Sequence, residues 1–258
     1  MTPAQKLKDK FRSRTLTLGT WVSLGNSSIA EVMVQAGYDW VTIDNEHSML
    51  NPKDIQTLIT TIQGAGACAL VRLSENQGIE IRKIMDAGAD GVICPMINNA
   101  NDAKLLIDAV KYPPLGKRSY GLYRAQGYGS HPIPYFESIN ERSIVIALIE
   151  QIEGVRNLES ILDVPGLDGV IIGPYDLSGS LGLPGQLNHP KVLAAEETVL
   201  SICKKRGISC GAHLVHPEPA IIEAKFKMGY TFFALGTDFI FISEAAKQTL
   251  EFAQKAFT

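Results

Sequence analysis

The chain has 258 residues, 45% hydrophobic and 20% charged, with a formal net charge of −3. This describes a globular protein with a sizeable core, and its 24 basic residues, scattered among 27 acidic ones, leave no electrostatic footprint for nucleic acid. No apolar stretch approaches the ~20 residues needed to cross a bilayer, and the opening MTPAQKLKDKFRSRT lacks a signal-peptide core, so a cytoplasmic protein without a membrane partner is expected.

In chain order, the first strand candidate is LTLGTWVSL (16 to 24), with Trp21 near its end as either a pocket wall or a core residue. AGYDWVTID (36 to 44) follows and stops at Asp44, three residues before His47. Asn51-Pro52 then supplies an N-cap and first turn for a helix whose Ile55, Leu58, Ile59 and Ile62 share one face. ACALVRL (67 to 73) carries Arg72 at its end, and AGADGVICP (87 to 95) comes next. Residues 111 to 143 are rich in Gly, Pro and Tyr and too long for a plain connection, which suggests a lid or a subunit contact.

The second half repeats the plan. SIVIALIE (143 to 150) ends in Glu150, Val155, Leu158, Ile161 and Leu162 predict a helix, and PGLDGVIIGP (165 to 174) runs into GPYDLS with Asp176. ISCGAHL (208 to 214) and MGYTFFALG (228 to 236) complete eight candidates. Four of them share a pattern: glycine, any residue, Asp or Thr, then an apolar run. The glycine is the expected left-handed residue after a helix, so each repeat reads as a helix end feeding a strand. Strands apolar on both faces and alternating with helices predict one (β/α)8 barrel domain over residues 1–258. A doubly wound sheet is the alternative, but no G-x-G-x-x-G follows the first strand.

In a parallel barrel the C-terminal strand ends share the face on which active sites are built. Asp44, Arg72, Glu150 and Asp176 all fall there. Glu150 and Asp176 offer hard oxygen donors for Mg²⁺ or Mn²⁺, the alternative being strand-end carboxylates that cap a helix or pair with Arg. Asp44 is expected to orient the His47 imidazole for proton transfer. Arg72 needs a carboxylate or an oxyanion; a salt bridge to Glu46 or Glu150 is the structural alternative. Small residues around Gly173 would let the amides of Tyr175 and Asp176 meet an anion, and Leu214 is taken with Trp21 as a wall of the substrate pocket. His131, His189 and His213 have no assignment. No lysine stands at a strand end for Schiff-base chemistry, and Cys68, Cys94, Cys203 and Cys210 match no metal or redox spacing and read as reduced and structural.

The segments GTWVSLGNSSIAEVMVQAGYDWVTIDNEHS, LVRLSEN, DAGADGVICPMINNANDA, IEQIEGVRNLESILDVPGLDGVIIGPYDLSGSLG and ALGTDF together resemble the HpcH/HpaI aldolase family, metal-dependent class II pyruvate aldolases. The resemblance implies a TIM barrel of the pyruvate/phosphoenolpyruvate type, commonly a hexamer built as a trimer of dimers. It implies Glu150 and Asp176 as ligands of a divalent cation (Mg²⁺ or Mn²⁺, with Co²⁺ an option), Arg72 with His47 and Asp44 for enolate and acid–base work, and the GPYD amides for the pyruvate carboxylate. The implied reaction cleaves a 4-hydroxy-2-oxo acid, such as a 2-keto-3-deoxy sugar acid, to pyruvate and an aldehyde. Leu148 stands where many relatives have Gln. A citrate-lyase-like or malyl-CoA-lyase-like enzyme and a non-catalytic sugar-acid binding barrel are the alternatives.

Overall fold

A computed structural model describes residues 1–257. Eight parallel strands close a barrel in sequence order: β1 (Thr17–Val22), β2 (Trp40–Asp44), β3 (Cys68–Arg72), β4 (Gly91–Cys94), β5 (Ile144–Ile149), β6 (Gly169–Ile172), β7 (Ser209–Leu214) and β8 (Phe232–Thr237). The helices are α1 (Pro3–Ser13), α2 (Ser27–Gln35), α3 (Pro52–Ala65), α4 (Gly78–Asp86), α5 (Ala100–Val110), α6 (Pro132–Arg142), α7 (Ile152–Arg156), α8 (Leu158–Leu162), α9 (Pro174–Ser180), α10 (Pro190–Arg206), α11 (Pro219–Met228) and α12 (Asp238–Ala256). The fold is the expected (β/α)8 barrel.

The repeat has a mechanical explanation. Its glycines, Gly37, Gly88, Gly166 and Gly229, all have φ between 98° and 115°, the left-handed region that a Cβ disfavours. The residue two positions on closes the sheet from below: Asp39 accepts the N–H of Leu18, Asp90 that of Ala69, Asp168 that of Val145, and Thr231 that of Cys210. Each first-turn side chain thus satisfies a backbone donor at the start of the neighbouring strand, where the ladder has run out of carbonyls.

Alternation divides the core in two. Outward residues such as Val41, Val71, Val145 and Val170 pack under the helices, while Trp40, Leu70, Ile93, Ile146, Leu148, Ile171 and Phe232 fill the barrel. Glycine makes room for the large interior rings, since a Cβ on Gly19 would lie 2.1 Å from the Trp40 ring and one on Gly211 2.2 Å from Phe232. The N-terminal helix α1 plugs the floor, its Phe11 ring 4.7 Å from that of Phe232.

Two local expectations change. The helix expected around 155–162 is split into α7 and α8 at Asn157, whose side chain turns away to donate to the Asn98 carbonyl at 2.9 Å. The 111–143 segment contains a 3₁₀ turn (Arg124–Gly129) and α6, and none of its residues lines the cavity at the C-terminal rim of this chain. It buttresses the side of the barrel: the fully buried Arg118 pairs with Asp86 and lies over the Tyr112 ring, and Arg124 donates to the Ala87 carbonyl.

Candidate active site

The C-terminal rim encloses a cavity of about 330 Å³ whose lining includes Trp21, Asp44, His47, Arg72, Glu150, Gly173, Tyr175 and Asp176. Strand parity explains most of this set. Asp44 and Arg72 are direct cross-strand partners at the last position of β2 and β3, so two inward side chains of opposite charge meet. Arg72 grips Asp44 with both prongs, Nε to Oδ1 at 2.9 Å and Nη2 to Oδ2 at 2.7 Å, while Nη1 lies 3.1 Å from Glu46 Oε2. The guanidinium also stands 4.4 Å over the Trp21 ring. Trp21 therefore fills both expected roles, buried at 3% exposure and lining the cavity. The Arg72–Glu46 salt bridge considered from sequence is present, with Asp44 as the closer partner.

His47 and Asp44 do not pair as expected. Arg72 occupies both carboxylate oxygens of Asp44, and Oδ1 also accepts the backbone N–H groups of Glu46 and His47 at 3.0 and 3.1 Å. Asp44 thus shapes the turn that carries His47, and the imidazole projects to the cavity mouth with 66% of its side chain exposed. Its neighbouring carboxylate is Glu46, 3.9 Å from Nε2. For Asp44, burial alone would raise the carboxyl pKa, but the Arg72 hydrogen bonds and charge outweigh it and the net shift is downward.

Glu150 is in the opposite state. It follows β5, is 4% exposed, and has one described hydrogen bond, from the Met96 N–H to Oε1 at 2.7 Å. Burial pushes its carboxyl up to about 7; the Met96 amide opposes this, and the charges of Glu46 and Asp176 reinforce it. Burial raises Glu46 as well. Asp176, in the first turn of α9, is exposed and faces the same cavity. Gly173 leaves open the space beside Glu150, where a Cβ would lie 2.9 Å from Glu150 Cβ and 3.1 Å from Oε2.

These residues fit a divalent cation of the Mg²⁺ or Mn²⁺ kind. The charges of Glu46 and Asp176 add to the burial that holds back ionisation of Glu150, and hard ions of this type commonly take only one or two carboxylates, with water and substrate completing the shell. Among the described residues no group of three or more His, Cys, Asp and Glu forms a ready-made cage. The N–H groups of Tyr175 and Asp176 lie in the first turn of α9, where no preceding helical carbonyl is available, while the Leu177 N–H is already bonded to the Gly173 carbonyl at 3.0 Å.

Leu214 does not line this cavity; it borders the adjoining pocket together with Pro174, Tyr175 and His213. It points out of the barrel into the layer beneath the helices, and its neighbours His213 and Val215 line the cavity. Sequence reasoning left His213 unassigned, yet it stacks on Trp21 with ring centroids 4.9 Å apart. Parity was the available signal: counting in steps of two from Gly211, the interior position beside Phe232, reaches His213 and not Leu214. Leu148 closes the cavity floor with apolar surface. The four cysteines are buried and free. Outside the cavity, Glu80 ties the loops after β2 and β3 together, accepting from Asn45 Nδ2 and from the N–H and hydroxyl of Ser74.

The HpcH/HpaI aldolase/citrate lyase family profile matches residues 17–245. The 4-hydroxy-2-oxo-heptane-1,7-dioate aldolase of Salmonella dublin is 35% identical over 244 residues, covering 93% of this chain and 91% of that protein. The chain belongs to the HpcH/HpaI aldolase/citrate lyase family. It is an enzyme, a carbon–carbon lyase. Among solved structures, an HpcH/HpaI family protein from Burkholderia cenocepacia J2315 superposes with a TM-score of 0.92 at 30% identity, covering 96% of this chain and 99% of that one. The citrate synthase SbnG superposes with a TM-score of 0.86 at 28% identity, covering 97% and 98%. No helix among the described residues is long and apolar enough to cross a membrane.

Proposed function

We propose that this HpcH/HpaI enzyme is a divalent-metal-dependent class II pyruvate aldolase that reversibly cleaves a 4-hydroxy-2-oxo acid to pyruvate and an aldehyde. The observation that carries the reading is the meeting of Glu150, Asp176 and Arg72 at one cavity, with Glu150 influenced by neighbouring carboxylates and Arg72 engaged by Asp44 and Glu46. Glu150 and Asp176 would hold Mg²⁺, Mn²⁺ or Co²⁺, which when bound supplies Lewis acidity toward the 2-oxo group.

In the cleavage direction His47 takes the proton of the C4 hydroxyl, the C3–C4 bond breaks, C4 becomes the aldehyde carbon, and the electron pair passes to C3 and the 2-oxo oxygen as an enolate. Arg72 stabilises that charge, held in place by Asp44, Glu46 and the Trp21 face. The amides of Tyr175 and Asp176 receive the substrate carboxylate, and a proton returned to C3 completes pyruvate. Glu46 Oε2 stands 3.9 Å from His47 Nε2. The exposed apolar residues of α12, such as Phe239, Leu250 and Phe252, support the homo-oligomeric, hexameric assembly that the resemblance implies.

Pyruvate release from a 2-keto-3-deoxy sugar acid, measured with and without chelator, tests the reading; release that a chelator leaves untouched would sink the metal dependence. His47→Ala is expected to lower turnover about 10²- to 10⁴-fold with metal binding retained, and unchanged turnover removes His47 from the reaction. The likeness to SbnG favours a second reading, a citrate-synthase- or citrate-lyase-like reaction on the same rim. Turnover confined to CoA esters or citrate would select it, although Arg72 is the one Lys or Arg among the cavity-lining residues.

A further inference from the structure

Resting on the aldolase reading, we propose that His213 is a specificity-determining residue: its Nδ1 accepts a hydrogen bond from a hydroxyl on the aldehyde half of the substrate, so the cavity selects neutral hydroxyaldehydes over aldehydes bearing a second carboxylate. Three observations combine. The first is placement, with His213 inward on β7 and stacked at 17° on Trp21, whose ring also meets the Arg72 guanidinium. The imidazole therefore stands next to the group that stabilises the enolate.

The second is its hydrogen-bonding state. His213 Nε2 lies 3.4 Å from the Gly236 carbonyl oxygen. A carbonyl only accepts, so Nε2 carries the hydrogen and Nδ1 presents a lone pair. No other hydrogen bond to this ring exists among the described residues. Burial holds the imidazole pKa down to about 4; the Gly236 carbonyl and Asp44 pull it upward and the Arg72 charge adds to the lowering, so the ring is neutral near pH 7. Val215, Phe239 and Ile240 flank it with apolar surface. An acceptor set among such neighbours discriminates most strongly for a ligand donor, because a ligand lacking one leaves it unpaired.

The third is charge. Asp44, Glu150 and Asp176 line the cavity against the single guanidinium of Arg72, which Asp44 and Glu46 already engage. A divalent cation would only balance this lining, and the 2-oxo acid carboxylate then makes the loaded cavity net negative. His47, the other lining imidazole, stands beside Glu46. A second substrate carboxylate would meet no free cation, and a hydroxyl meets the lone pair of His213.

The test is aldol addition of pyruvate by the metal-loaded enzyme to glycolaldehyde, acetaldehyde and succinic semialdehyde, compared by kcat/KM. The wild-type enzyme is expected to prefer glycolaldehyde to acetaldehyde by about 10- to 100-fold. His213→Leu should collapse that ratio, and His213→Gln, which keeps an acceptor, should retain part of it. An unchanged ratio in His213→Leu, or wild-type turnover of succinic semialdehyde matching that of glycolaldehyde, overturns the assignment. Imidazole ¹⁵N NMR of the wild-type protein needs no variant: a lone-pair-bearing Nδ1 whose resonance shifts on addition of glycolaldehyde supports it, and a protonated Nδ1 overturns it. Exchange of the pyruvate C3 hydrogens with solvent, in wild-type enzyme without aldehyde, separates the two levels. Failed exchange sinks the aldolase reading beneath the proposal, whereas normal exchange without aldehyde discrimination sinks the role of His213 alone.

Discussion

The two ends of this barrel bury charge in opposite ways. At the floor, Lys8 reaches Asp168 at 2.7 Å and also donates to the Ser143 carbonyl, while the buried Lys111 donates to that carbonyl, to the Ser143 hydroxyl and to the Asn140 carbonyl. Every ammonium there has protein partners. At the rim, the carboxylates outnumber the guanidinium, Glu150 is driven up to about 7, and Trp21 Nε1 is buried without a described partner. The floor satisfies its charges internally because it holds the structure together, whereas the rim leaves groups unsatisfied that only a ligand can complete.

The contrast has a signature in pH. Burial, with the nearby Lys8 charge, lowers Lys111 from 10.5 to about 7, so between those values the folded state binds fewer protons than the unfolded chain and the floor gains stability as pH rises. Glu150 is raised from 4.5 to about 7, so between those values the folded state binds more protons and the rim loses stability as pH rises.

The largest effect expected is at the floor. Asp168→Asn keeps a side-chain oxygen for the Val145 N–H but strips the buried Lys8 of its carboxylate and removes a nearby negative charge from Lys111, at a cost of about 3–5 kcal/mol in denaturant unfolding. A loss below about 1 kcal/mol would remove the claim that the floor is internally balanced.

Next comes Arg72→Met, expected to lower turnover about 10²- to 10³-fold. It should also move acid unfolding. With Arg72 present, Asp44 titrates below its ordinary value, and the stability it contributes is lost only as pH falls through that lowered pKa. Without Arg72, burial dominates and raises Asp44, so the acid transition should shift to higher pH; an unmoved transition would separate Asp44 from the Arg72 pair.

The smallest effect is expected for Glu150→Gln in chelator. It should stabilise the protein above pH 7 by up to about 3 kcal/mol and flatten the slope between 4.5 and 7. Calorimetry across that range checks it. A destabilised variant would mean that the rim carboxylate is structurally satisfied, erasing the contrast with the floor.

Much of the site was legible because strand ends are marked by local chemistry. An apolar run that stops in Asp, Arg or Glu shows where a barrel strand surfaces, and Asp44, Arg72 and Glu150 were read that way. For His47, spacing along the chain suggests Asp44 as the partner of its ring, while in the fold the neighbouring strand delivers Arg72 to both Asp44 oxygens. From the sequence Leu214 reads as substrate-binding and His213 has no assignment, and the parity fixed by the close approach of Gly211 to Phe232 is what turns His213 inward.

By itself, the sequence determined the order of strands and helices, the left-handed glycines, the Asp and Thr residues that start alternate strands, and the presence of charge at the rim. These follow from periodicity and backbone sterics acting over a few residues. Tertiary structure alone decided which charges meet: Arg72 with Asp44 and Glu46, Trp21 with His213, and Glu150 with no counter-ion. Those pairings depend on register between strands far apart in the chain, and on a burial that sets pKa through neighbours that no local pattern names.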